Sequence, residues 1–180
     1  MNKLKAVSTI FFMLTYLCSF ASPTQQSDEH YMQIAINLAK KNPKAPFAAI
    51  IVDNITDKIL SEGLNASNIN PTFHGEMVAI DNCIQKNPNV DWSKVTLYTT
   101  AEPCPMCQSA IVWAQIPKVV FATSIGYLTN HGWNQINIPA SEINNKASFY
   151  KGTITGGVLA EQSNILFDRQ IARSPYGRKS

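Results

Sequence analysis

The sequence is poor in charged residues, and this shortage excludes two classes of protein. Only 15% of the 180 residues are charged and 45% are hydrophobic, which excludes a disordered chain and fits a globular domain with a sizeable core. The net charge of +3 is too mild to imply a nucleic-acid partner, because the useful sign of one is a basic stripe on one face. The sequence also lacks internal repeats and low-complexity segments, so nothing divides it into several domains.

The N-terminus has the pattern of a secretory signal peptide. Lys3 and Lys5 precede an apolar, uncharged run at 6–20, and small residues precede a cleavage point after Ala21. The run is short for a membrane-spanning helix, which needs about 20 residues; an uncleaved anchor is the alternative. We therefore expect a signal peptide at 1–21, a single domain at 22–180 and a secreted or periplasmic protein that has no membrane contact after cleavage.

Cysteine is also scarce. Cleavage after Ala21 would leave three cysteines, Cys83, Cys104 and Cys107, and an odd number argues against a disulfide framework even in an oxidising compartment. Cys83 falls on an apolar helical pattern and is interpreted as a core residue. Cys104 and Cys107 form a Cys-x-x-Cys pair, which is typical of a redox pair or of part of a zinc site but also occurs by chance.

Hydrophobic periodicity predicts a chain in which helices and strands alternate. Helices are expected at 27–42 (capped by Ser27), 73–86, 104–115 and 160–172, and strands at 47–52, 58–64, 95–100, 118–123 and 153–159, with 124–148 irregular. The first two strands form a hairpin, whereas the helix between the third and fourth implies a parallel crossover. We therefore expect an α/β fold, a three-layer α/β/α sandwich whose mixed five-stranded sheet has helices on both faces.

Three residues are candidate metal ligands, namely His74, Cys104 and Cys107. One imidazole and two thiolates suit a tetrahedral zinc, and three protein ligands leave a fourth position open, as in catalytic zinc sites. The i, i+3 spacing of the cysteines at a helix start places both sulfurs on one face. The positive end of that helix also favours thiolates.

Glu76 is the candidate catalytic carboxylate. It lies two residues after His74, and side chains two apart within a helix diverge by about 200°. The two residues can therefore share a site only at a helix end. A carboxylate beside zinc can move the protons of zinc-bound water. These residues predict a zinc hydrolase.

Two segments of the chain match the H-x-E…P-C-x-x-C signature of zinc-dependent nucleobase and nucleoside deaminases. They are His74-Gly75-Glu76 and Pro103-Cys104-Pro105-Met106-Cys107. The resemblance runs from about residue 31 to residue 167 and is closest to guanine deaminases and tRNA-specific adenosine deaminases. It implies a cytidine deaminase-like fold, one Zn²⁺ per chain held by His74, Cys104 and Cys107, and a homodimer.

The resemblance also implies roles for five residues. Glu76 would be the general acid and base, Asn65 would hydrogen-bond the base, the Gly75 amide would be a donor, and Phe47 and Trp113 would line the pocket. Phe47 and Trp113 have a simpler interpretation as packing residues, and Asn65 has one as a turn residue. Gly75 departs from the family, whose members usually carry alanine there.

The implied reaction is hydrolytic deamination of a small purine base or nucleoside. Guanine is the expected substrate, giving xanthine and ammonia, because an exported enzyme would meet a diffusible base and not tRNA. A cytosine, cytidine or adenosine-type deaminase is the alternative within this class. The alternative of another class is a non-catalytic, zinc-stabilised binding protein in which His131 supplies a fourth ligand.

Overall fold

The computed structural model describes residues 23–171, which form one sheet covered by helices. The strands are β1 (Ala48–Asp53), β2 (Ile59–Leu64), β3 (Val95–Ala101), β4 (Lys118–Thr123) and β5 (Thr153–Thr155). The helices are α1 (Pro23–Ala39), α2 (Gly75–Lys86), α3 (Pro105–Trp113), α4 (Ile125–Asn130), α5 (Ala140–Lys146) and α6 (Ala160–Ile171), with a 3₁₀ turn at Trp92–Lys94. The expected signal peptide at 1–21 lies outside the described residues. Between residues 23 and 171, no helix is both long and apolar enough to cross a membrane.

The sheet has the strand order β2-β1-β3-β4-β5. Strand β1 is antiparallel to both β2 and β3, whereas β3, β4 and β5 are parallel to one another. The expected hairpin, parallel crossover and mixed five-stranded sheet are thus confirmed. The carboxyl ends of β3 and β4 meet the start of β1 at one edge of the sheet, and this edge carries the candidate site.

The alternating side chains of β1 explain why the sheet is covered on both faces. Residues Ile50 and Val52 pack in a cluster with α1, whereas Ala49 and Ile51 pack in a second cluster that contains residues of α2 and α3. All of 48–52 is buried. A continuous apolar run, rather than an alternating one, is what such a doubly covered strand requires, and the three-layer expectation is confirmed.

The first helix begins earlier than the sequence suggested. It starts at Pro23, so Ser27 lies within it and does not cap it. Asp28, also within this helix, is buried and accepts hydrogen bonds from the Tyr98 hydroxyl at 2.8 Å and from Lys118 Nζ at 2.7 Å. These contacts tie α1 to strands β3 and β4.

The segment 124–148 was expected to be irregular, and that expectation is wrong. It contains α4 and α5, which have only 6 and 7 residues, too few for helical periodicity to appear in the sequence. The strand expected at 153–159 is also shorter than predicted. It ends at Thr155, and positive φ angles of 83° at Gly157 and 53° at Leu159 turn the chain into α6.

Helix α2 lies directly on strand β2 because Gly63 has no side chain. A Cβ atom at this position would lie 2.1 Å from the carbonyl oxygen of Gly75 and 2.2 Å from the backbone nitrogen of Ala79. Both atoms belong to the helix backbone, which cannot rotate away as a side chain can.

Gly63→Ala should therefore lower the free energy of unfolding by about 1–3 kcal/mol or more, because the helix must move off the sheet. Urea denaturation measures this. The matched control is Gly126→Ala within α4, where the nearest heavy atom would lie 3.9 Å from the new Cβ. The control should be neutral or more stable by up to about 1 kcal/mol. Equal stability of the two variants would contradict the proposed close contact.

Candidate active site

The candidate ligands lie where two helices begin. His74 is the N-cap of α2 and Cys104 is the N-cap of α3, and neither side chain makes a capping hydrogen bond. N-caps are usually Ser, Thr, Asp or Asn, whose oxygen accepts from a helix amide. Here the side chains face one another instead. Cys107 is buried in the first turn of α3, as the i, i+3 spacing predicts.

The three ligand atoms form a nearly equilateral triangle. His74 Nδ1 lies 3.6 Å from Cys104 Sγ and 3.6 Å from Cys107 Sγ, and the two sulfurs are 3.6 Å apart. Tetrahedral zinc with ordinary bond lengths separates two sulfurs by about 3.8 Å and a sulfur from a nitrogen by about 3.6 Å. The donor set and the spacing therefore fit zinc. This is the one such cluster of His, Cys, Asp or Glu found among residues 23–171.

The two thiols have opposite pKa shifts. The hydrogen bond between the sulfurs, followed by that from His74, lowers the pKa of Cys104 to about 4. The same sulfur–sulfur hydrogen bond and burial raise the pKa of Cys107. Opposite pKa shifts are expected here, because the negative charge of one thiolate opposes the loss of a proton from the neighbouring thiol. A cation bound by both sulfurs removes this repulsion.

His131 does not contribute a fourth ligand. Its Nδ1 lies 2.8 Å from the Tyr127 carbonyl oxygen, its ring stacks on Tyr127 with centroids 3.9 Å apart, and its Nε2 lies 3.7 Å from Asp168 Oδ1. The cluster in the described part of the chain thus has three ligand residues, the number typical of catalytic zinc. The binding-protein alternative loses the residue on which it relied.

Glu76 lies in the first turn of α2, beside the cluster, and its side chain is buried. Because α2 begins at Gly75, His74 and Glu76 are at a helix end, as their spacing required. The Thr99 hydroxyl donates a hydrogen bond to Glu76 Oε1 at 3.3 Å. Burial raises the pKa of Glu76, so this carboxyl takes up a proton more readily than an exposed one. Such a shift suits a general acid and base.

Thr99 was not identified from the sequence, although a signal for it exists. Positions 95, 97 and 99 share one face of β3, and Val95 and Leu97 belong to the apolar cluster beneath α2 and α3. A buried threonine among these apolar side chains requires a polar partner. Glu76 is that partner.

Phe47, Asn65 and Gly75 lie together next to His74. The Phe47 carbonyl accepts the Asn65 backbone N–H at 2.9 Å, and a Cβ on Gly75 would lie 2.9 Å from the same oxygen. Glycine at this position therefore permits a close approach of α2 to the start of β1. The Asn65 side chain accepts hydrogen bonds from the Ser67 amide and hydroxyl at 3.2 and 2.9 Å; its contact with a base stays a prediction.

Phe47 belongs to an aromatic cluster with Trp133 and Phe167. The ring centroids are 5.0–5.5 Å apart, and the Trp133 Nε1–H donates to the Phe167 carbonyl oxygen at 3.3 Å. Trp133 and Phe167 were not identified from the sequence, because only the fold brings the loop after α4 and helix α6 to Phe47.

The structure does not bring Trp113 to this group. Its side chain is 75% exposed at the end of α3 and packs on Phe149, with centroids 5.1 Å apart. It lies six residues after Cys107, a helical rotation of about 240° that directs it to another side of the helix. Trp113 is therefore a surface residue of the single chain.

A buried carboxylate beside three metal ligands is the arrangement of a zinc hydrolase, and similarity to known proteins specifies the family. Residues 25–123 match the family model of the cytidine and deoxycytidylate deaminase zinc-binding region. The chain is 37% identical over 146 residues to a tRNA-specific adenosine deaminase of Buchnera aphidicola, covering 78% of this chain and 86% of that protein. It is 34% identical over 140 residues to a guanine deaminase of Bacillus subtilis, covering 71% and 86%.

The fold agrees with these matches. The structure of a guanine deaminase from Nitrosomonas europaea matches with a TM-score of 0.68 and 22% identity, covering 94% of this chain and 97% of that one. The chain belongs to the cytidine and deoxycytidylate deaminase family. The expected cytidine deaminase-like fold and the zinc-dependent deaminase class are thereby confirmed.

Purified wild-type protein should contain about one zinc per chain, and Cys107→Ser should contain little, because three ligands are needed to hold the ion. Elemental analysis after dialysis measures this. The matched control is Cys83→Ala, which changes a buried cysteine of the core cluster and should retain zinc. Full zinc content in Cys107→Ser would contradict the assigned ligands.

Proposed function

We propose that the chain is a zinc-dependent hydrolytic deaminase of a small purine base or nucleoside, and that guanine is its substrate. The observation that carries this proposal is the buried carboxyl of Glu76 beside three metal ligands that leave a coordination position open. Membership of the deaminase family and the guanine deaminase relative support it.

His74, Cys104 and Cys107 would hold zinc, which supplies Lewis-acid chemistry that makes water a nucleophile at neutral pH. Glu76 moves the protons. It takes one from the attacking water and gives one to the departing amine, so that a C–O bond forms, the C–N bond breaks and ammonia leaves. The hydrogen bond from Thr99 fixes Oε1 of this carboxyl. A general acid and base of this kind contributes about 10²–10⁴ to the rate.

The aromatic cluster around Phe47 favours a substrate with a planar ring. Phe47 and Trp133 are partly exposed and pack on the buried Phe167, which gives an apolar wall next to the backbone that contacts Gly75. Aromatic rings interact favourably with one another when stacked or edge-to-face. A nucleobase therefore suits this wall better than an aliphatic amide does. We propose that Phe47 and Trp133 contact the base and that Asn65 hydrogen-bonds its edge.

An adenosine-type activity is the second candidate. The relative named tRNA-specific adenosine deaminase is 37% identical to this chain, slightly more than the 34% of the guanine deaminase relative. A mild net charge of +3 gives little support for a tRNA substrate, since phosphate contacts dominate the affinity of nucleic-acid-binding proteins. A cytosine or cytidine substrate stays an alternative within the class.

Ammonia release from guanine, guanosine, adenine, adenosine, cytosine and cytidine by the zinc-loaded protein distinguishes these candidates. We expect guanine to have the highest kcat/KM. A preference for adenosine would favour the second candidate and overturn the guanine assignment. Release from none of the six would overturn the proposed substrate class.

Glu76→Gln should retain zinc and lower kcat by about 10²–10⁴, because the amide cannot carry the proton. The matched control is Glu161→Gln, an exposed residue in the first turn of α6, which should keep wild-type activity. Turnover of Glu76→Gln at the wild-type rate would contradict the mechanism. Loss of zinc from this variant would show that Glu76 serves metal binding instead.

We also propose that the chain is exported and cleaved after Ala21, on the basis of its N-terminal sequence. N-terminal sequencing of the protein from its native cell should begin at Ser22, outside the cytoplasm. Ala21→Arg should block cleavage, because signal peptidase requires a small residue at this position. A native protein that retains Met1 in the membrane fraction would favour the anchor alternative.

A homodimer is the remaining proposal, and it rests on the family resemblance. Trp113 is 75% exposed and Phe149 is 55% exposed, and the two rings are in contact. Exposed aromatic pairs of this kind are favoured in contacts between proteins. The pair therefore gives this chain an apolar surface on which a second copy could pack.

A further inference from the structure

We propose that Glu102 is a positioning residue that holds the metal-binding turn against helices α4 and α5, and that it thereby sets how firmly the chain retains zinc. The proposal deepens the proposed function, but its main test measures metal release and needs no substrate. Nothing in the mechanism above uses this side chain.

The observation is that one carboxylate bridges two helices. Glu102 Oε2 accepts a hydrogen bond from the Ile125 backbone N–H at 2.9 Å, and Oε1 accepts one from the Ala140 backbone N–H at 3.0 Å. The backbone N–H of Glu102 donates to the Thr123 carbonyl oxygen at 2.7 Å. The residue is therefore tied to the end of β4 and to the first residues of α4 and α5.

The bridge requires a carboxylate. Both partners are donors, and a carboxylate offers two acceptor oxygens, whereas a carboxamide would turn an NH₂ group toward one of them. The N-cap of α5 is Pro139, which makes no side-chain capping bond. The Ser124 side chain caps α4 at the Tyr127 amide and not at Ile125. Glu102 thus accepts hydrogen bonds from two helix-start amides that the N-cap side chains of α4 and α5 do not bind.

The bridge is close enough to the ligands to affect them. Only Pro103, which is buried and whose ring fixes φ, separates Glu102 from Cys104. A displacement of Glu102 is therefore transmitted to the sulfur two residues later. Few backbone torsions between them are free to absorb it.

The other end of the turn is tied to the same helix. Gln108 follows Cys107, is fully buried, and donates from Nε2 to Asn144 Oδ1 of α5 at 2.7 Å. Helix α5 therefore contacts the ligand turn at the residue before Pro103 and at the residue after Cys107. These two contacts bracket both thiols, so the position of α5 and the spacing of the sulfurs are coupled.

The test is the rate at which zinc passes from the loaded protein to a colorimetric chelator. Glu102→Gln keeps the size of the side chain but leaves one amide facing an NH₂ group. We expect zinc release to be at least about 10-fold faster, since loss of groups that orient metal ligands typically costs 10–100-fold in affinity. Hydrogen exchange should also accelerate at the amide of Ile125 or Ala140.

Two controls separate positioning from general destabilisation. Glu161→Gln removes an exposed carboxylate from the first turn of α6 and should leave zinc release unchanged. Ile36→Ala removes buried volume from the cluster on the opposite face of the sheet. It should lower stability but release zinc at the wild-type rate at temperatures where it is folded.

Release from Glu102→Gln at the wild-type rate would overturn the proposal. So would equally fast release from Ile36→Ala at a matched loss of stability. If Glu102→Gln does not fold, Glu102→Asp keeps the charge but is shorter by one methylene, and it should release zinc faster than wild type. A wild-type protein that deaminates no purine, together with faster release from Glu102→Gln, would refute the proposed substrate while supporting the role of Glu102.

Discussion

The site depends on how closely helix α2 approaches the sheet. Two glycines permit this approach, since a Cβ atom at Gly63 would collide with the backbone of the helix and one at Gly75 would collide with the start of β1. This contact places the first residue before the helix, His74, at the sheet edge where β3 ends. The imidazole then lies within 3.6 Å of both sulfurs of α3. A larger residue at Gly63, where the clash with the helix backbone is most severe, would move the helix and the ligand together.

The electrostatic character of the site follows from this crowding. Two thiols and a carboxyl are brought into one largely buried region. Burial raises the pKa of Glu76, and the contact between the sulfurs lowers the pKa of Cys104 and raises that of Cys107. A divalent cation is the group that satisfies such a set. The positive ends of two helices alone carry only partial charges. The chemistry of the ligands and the geometry of the helices therefore point to the same ion.

Local patterns were sufficient to predict much of the fold and the ligands. The bounds of β4 agree with the prediction because its apolar run is short and bounded by polar residues. The spacing of the ligands predicted that they lie at helix ends, and His74 and Cys104 are the N-caps of α2 and α3. The residues missed are those whose roles arise from distant contacts. Thr99 faces Glu76 across 23 positions of the chain, Trp133 meets Phe167 across 34, and α5 is too short to give a periodic signal. The same holds for the buried Asp28, whose partner Lys118 is 90 positions away.

The absence of capping side chains at the starts of α2 and α3 has a consequence for how the protein withstands loss of its metal. The N-cap residues, which would normally bind the free amides of the first turn, are metal ligands in both helices. Metal binding and the stability of the two helix starts are therefore linked. Scarcity of zinc would then loosen the backbone around Glu76 as well as remove the reactive centre. Frayed segments are where proteases cut, so a chain deprived of its metal would be selectively degraded. Metal supply would set how much of the enzyme survives as well as how much of it is active.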